Sequence, residues 1–108
     1  MVDRAGVKSN AGTAARQRAS ADQLAVAAFE FIAAEPRRLA RFLDMTGIAP
    51  ESIREASREA NFLAGVLDHL SEDEALLVAF CAQTGVDPNE VVRARAVLGG
   101  ASWEGDTL

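Results

Sequence analysis

The chain has 108 residues, one domain's worth, and its 49% hydrophobic and 25% charged residues require neither a disordered nor a membrane class. Aromatic residues make up 6%, so the predicted core is aliphatic, built from Ala, Leu and Val around five Phe. The net charge of −5 is uneven: residues 1–18 carry +3, seven Arg against thirteen carboxylates leave −6 over residues 19–98, and Glu104 and Asp106 add −2.

Residues 1–19 are small and basic with no sustained apolar period, and read as a flexible tail. Order is predicted to begin at Ser20, where Ser20-Ala21-Asp22-Gln23 has the form of a capping box. A helix over 21–34 follows, apolar nearly all round, with Gln23 and Glu30 on one narrow polar stripe. Pro36 suits a first helical turn and opens a second helix to Thr46, with Leu39, Phe42 and Leu43 inward. Gly47 is a left-handed stop, and Pro50 opens a third helix with Ile53 and Ala56 inward.

A fourth helix over 60–70 carries Phe62, Leu63, Val66, Leu67 and Leu70, and is either continuous with the third or separate from it. Ser71-Glu72-Asp73-Glu74 reads as a second capping box, opening a fifth helix to Thr84 that Gly85 ends. Asp87-Pro88-Asn89-Glu90 is a third box, and its helix stops at Gly99-Gly100. Residues 101–108 form a short acidic tail. No alternating apolar run of strand length occurs, so the expected fold is all-α, a compact bundle of about six short helices over residues 20–100.

The two halves share a pattern at an offset of 38 residues. Leu39, Phe42, Thr46, Gly47, Pro50 and Ala56 fall on Leu77, Phe80, Thr84, Gly85, Pro88 and Ala94. An internal pseudo-repeat of two helix-turn-helix units is expected; two copies are too few for a solenoid.

Arg41-Phe42-Leu43-Asp44-Met45-Thr46-Gly47-Ile48, Phe62-Leu63-Ala64-Gly65-Val66-Leu67-Asp68, Asp73-Glu74-Ala75-Leu76-Leu77 and Arg93-Ala94-Arg95-Ala96-Val97-Leu98-Gly99-Gly100 carry a family resemblance. From about Ala25 to Gly100 the chain resembles a small alphaproteobacterial family of uncharacterised proteins, domain of unknown function number 3572. The matching residues make the fold, so the resemblance implies no activity, cofactor or catalytic residue.

The residue inventory points away from chemistry. His69 stands alone at a helix end beside Asp68, whereas a zinc site needs several His or Cys. No nucleophile–base pair and no phosphate-cradling glycine loop is present, so no catalytic residue, cofactor or metal is expected. Cys81 lies in the least polar stretch and is expected in the core, as befits a reducing compartment. The longest hydrophobic run, Ala75 to Ala82, is eight residues, far below the ~20 of a membrane span, and no secretory segment is visible. The cytoplasm is the expected location, without membrane association.

A DNA-reading motif is set against a packing motif at the Thr-Gly turn. Ala40 and Gly47 are seven apart, later than a DNA-reading turn expects, and the acidic body repels phosphate. Nucleic acid is left only the basic N-terminal segment. Helices 21–34, 60–70 and 71–84 are more apolar than a small domain can hide, which implies an association surface. The expected function is a non-enzymatic protein-protein interaction or self-association module; the alternative is a nucleic-acid accessory protein.

Five residues are candidates for contact with an unknown protein partner or a second copy. Phe29 and Phe31 point about 200° apart around their helix, so one is expected inside and the other at an interface. Arg37 and Arg41 share a face that suits an acidic partner, unless it is simply solvated. Trp103 either packs back on the domain, which burial of its indole favours, or anchors a partner.

Overall fold

The computed structural model describes the backbone of residues 2–59 and 61–107 and the side chains of residues 12–59 and 61–99. Among the described residues six α-helices follow one another: α1 Val2–Ala33, α2 Pro36–Thr46, α3 Ile53–Ala56, α4 Phe62–Glu72, α5 Glu74–Thr84 and α6 Pro88–Thr107. A 3-10 turn, Pro50–Ser52, leads into α3. No strand occurs among the described residues, so the fold is an all-α bundle.

Helix α1 does not start at Ser20. It runs from Val2, with Ser20 exposed in its middle, so residues 12–19 belong to a helix rather than to a structureless tail. The local reason is composition: Ala11, Ala14, Ala15, Arg16, Gln17, Arg18 and Ala19 are strong helix formers with no Pro among them. A Ser in such a stretch does not force a start. The break after α1 is where Pro36 demands it. Glu35, just before the proline, is extended at φ −120° and ψ 117°, as steric conflict with the ring requires.

The two Thr-Gly turns close in the same way. Gly47 and Gly85 are left-handed at φ 76° and 79°, and donate their N–H to Leu43 O and Cys81 O. Thr46 Oγ1 donates to Phe42 O at 2.7 Å, and Thr84 Oγ1 to Phe80 O at 2.7 Å. Beyond the turns the halves diverge. Pro50 leads into the 3-10 turn and one α-turn, whereas Pro88 opens a helix of 20 residues. The likeness is established for the turn alone.

The cap of α5 is also shifted from expectation. Helix α4 runs through Ser71 to Glu72, and Asp73 is the N-cap, its Oδ1 accepting from Leu76 N–H at 3.1 Å. Ser71 Oγ is instead buried, with no hydrogen-bond partner among the described residues. At α6 the expected box is present: Asp87 Oδ1 accepts from Asn89 N–H at 2.8 Å, and Glu90 Oε2 accepts from Asp87 N–H at 3.4 Å. Helix α6 does not stop at Gly99-Gly100. Glycine in a helix costs about 1 kcal/mol but ends it only where the backbone turns left-handed, and Gly99 has no positive φ.

Around α1, Ala21, Ala25, Ala28 and Ile32 form one fully covered stripe. Against this side of the helix lie α4 and α6, which bury Val66, Leu67 and Leu70, and Val91 and Ala94. Small alanines let neighbouring backbones come close. Arg95 Nε donates to Asp68 Oδ1 at 2.6 Å, tying α6 to α4 at the surface. Of the three strongly apolar helices, α4 is the deeply buried one; α1 and α5 expose Val26 and Val78.

The cap assignment is open to a direct check. Asp73→Ala is expected to cost about 1 kcal/mol in chemical denaturation, whereas Ser71→Ala is expected to be neutral or stabilising. The reverse order would restore Ser71 as the cap.

Candidate functional site

The two candidate phenylalanines differ in depth, and both make aromatic contacts within the domain. Phe31 is 5% exposed, its ring 5.6 Å from that of Phe80 in an edge contact, with the Arg38 guanidinium 4.2 Å above its face. Phe29 is half-buried and meets Phe62 at 5.3 Å and Phe42 at 5.8 Å, both edge-on. Both rings therefore make contacts inside the domain. Going the other way round the helix they are about 160° apart, and the Ala21–Ala25–Ala28–Ile32 stripe fills that arc. A buried face that wide holds a ring at each edge.

Because Phe29 sits at an edge, its remaining surface faces outward. It lines a groove of about 380 Å³ between the end of α1, α2 and the Pro50–Ala56 segment. Leu39 and Leu43 of α2 form one wall, and Pro50 and Ile53 the other. Arg54 and Ser57 supply the polar rim. Local chemistry explains the shape: the left-handed Gly47 reverses the chain, and Pro50 restarts it, so Ile53 comes back toward α2.

Arg37 and Arg41 are both exposed, and Arg41 Nε lies 3.8 Å from Asp73 Oδ2, a loose surface pair worth little. Arg38, not singled out by its spacing, makes the aromatic contact instead. The side chain of Trp103 lies outside the described residues.

His69 is buried with its ring 5.2 Å from that of Phe42, edge-on. Burial pulls its pKa below the ordinary 6.5, against Asp73 and Glu72, which favour the proton, and with Arg41, which opposes it. Cys81 is half-buried rather than fully enclosed, and burial together with Asp87 and Glu90 pushes its thiol up, away from the reactive thiolate. Among the described residues no three His, Cys, Asp or Glu side chains are grouped to hold a metal, and no helix is long and apolar enough to cross a membrane.

A family model described as protein of unknown function (DUF3572) matches residues 18–101, most of the chain and all of its packed body. The chain belongs to the DUF3572 family. A comparison with curated proteins finds no match, and neither does one with solved structures. The DUF3572 match includes Phe29, the whole groove and His69, and stops before Trp103.

Two outcomes follow from this geometry. Phe31→Ala is expected to cost about 3–5 kcal/mol, as for a large core truncation, and half-buried Phe29→Ala distinctly less. Equal losses in urea denaturation would place both rings at the same depth. For His69, the unfolded chain takes a proton at the ordinary value while the folded one resists it. The unfolded state thus binds more protons just below pH 6.5, and stability is lost as pH falls through that value. Thermal unfolding from pH 7.5 to 5.5 is expected to show a falling Tm, with a flatter profile in His69→Leu. An equal slope in both proteins would remove His69 from the cause.

Proposed function

We propose that the chain is a non-enzymatic protein-interaction module whose docking face is the groove at Phe29. The observation that carries this reading is a surface groove of about 380 Å³ whose walls are Phe29, Leu39, Leu43, Pro50 and Ile53. Apolar concavities with a sparse polar rim gain most from taking up apolar side chains. The occupant is an apolar segment of another protein with a carboxylate beside it, since the one charged residue lining the groove is Arg54 on its rim.

The non-enzymatic half of the proposal rests on chemistry. The single His is turned against Phe42 and the single Cys has its thiol held protonated, so neither is poised as base or nucleophile. A second reading, a nucleic-acid accessory, draws on Arg16 and Arg18, exposed on the N-terminal part of α1. Such binding would run through phosphates and fall steeply with salt.

A photo-crosslinking side chain at position 53 in the native cell is expected to give one discrete protein adduct. The same group at position 92, where Val92 is exposed on α6, is the control. No adduct, or equal labelling at both positions, would end the groove reading; a nucleic-acid adduct would favour the second one.

A further inference from the structure

A second concavity, of about 710 Å³, lies between the N-terminal part of α1 and α6, on residues the Phe29 groove does not use. Its floor is apolar, made of Ala21, Leu24, Ala94 and Val97. Arg16 of α1 and Arg93 of α6 stand on its rim, both exposed, and neither has an ion-pair partner among the described residues. Glu90 is the acid on the same rim. From Thr13 to Ser20 every side chain of α1 is exposed, so this part of the helix gains little from packing. Helical stretches without a packed face are marginal in water, and a covering partner would stabilise this one.

The chain itself contains a segment of complementary chemistry. Residues 101–108 read Ala-Ser-Trp-Glu-Gly-Asp-Thr-Leu: one large aromatic anchor and two carboxylates, with no basic residue. We propose that the α1–α6 groove receives the Trp103–Asp106 segment of a second copy, its indole on the apolar floor and its carboxylates toward Arg16 and Arg93. On its own α6, Pro88–Thr107, the backbone carries residues 103–106 ten or more positions past Arg93, about 15 Å or more along the axis and away from that arginine. Between two copies the exchange is reciprocal, each groove taking the other's segment, which closes a two-fold dimer with no open end. Arginine suits this role because its planar fork pairs a carboxylate through two hydrogen bonds. The proposal shares with the preceding reading only the premise that the chain associates; its surface is separate.

Charge exchange tests it on the full chain. Light scattering over a concentration series is expected to show a wild-type dimer. Arg16→Glu with Arg93→Glu, and separately Glu104→Lys with Asp106→Lys, are each expected to weaken self-association at least tenfold while circular dichroism stays unchanged. Mixed in equal amounts, the two double variants are expected to form a heterodimer, because each groove then meets a segment of opposite charge. A monomeric wild type at the highest attainable concentration overturns the proposal. So do double variants that still dimerise, or a mixture that stays monomeric. A dimer broken by Ile53→Glu and indifferent to the charge reversals would likewise overturn it, and would assign association to the Phe29 groove.

Discussion

Two aromatic rings spaced two residues apart on one helix set the architecture. Phe29 and Phe31 leave α1 in divergent directions, and each is large enough that leaving it in water is costly. Helices must therefore stand on both sides of α1. Phe42 of α2 and Phe62 of α4 meet Phe29, while Phe80 of α5 meets Phe31. Between the rings the alanine stripe leaves room for close approach, and the tightly covered Val91 and Ala94 of α6 belong to the same core. What remains of α1's circumference, with Gln23, Val26 and Glu30, faces solvent.

This arrangement explains where the molecule is left incomplete. A ring at the edge of a buried face is half-covered, and the Phe29 groove is the uncovered remainder, closed on its far side by the Pro50–Ala56 segment. From Thr13 to Ser20 the side chains of α1 are exposed, and the second groove opens between this part of α1 and α6. Both concavities thus border α1: one at the edge of its apolar face, the other where its exposed N-terminal part meets α6. His69 belongs to the same constraint: its buried ring stands edge-on to Phe42, and burial pulls its pKa down.

Local signals were legible wherever the chemistry was local. Pro36 and Pro88 at helix starts, Gly47 and Gly85 in left-handed turns, and the Asp87–Glu90 box all lie where steric and hydrogen-bonding rules place them. The signals that misled were those that compete. Ser20 and Ser71 resemble caps, but Ser20 stands in an alanine-rich run and Ser71 next to Asp73, the stronger acceptor at the observed start. Gly99-Gly100 weakens a helix without reversing it, because nothing there draws the backbone into the left-handed region.

By itself the sequence determined the all-α class, the positions of the turns and most of the core, because periodicity and backbone sterics act within a few residues. The family likewise followed from fold-making residues, and the DUF3572 match spans them. Only the tertiary structure decided that Phe31 is buried against Phe80 while Phe29 is half-covered by Phe42 and Phe62, that Arg38 rather than Arg37 or Arg41 covers Phe31, and that Cys81 is half-exposed. It alone brought Ile53 and Leu39 to one groove and Arg16 and Arg93 to another. Helical spacing tells which residues share a face, whereas the partner that covers each face depends on how separate helices cross.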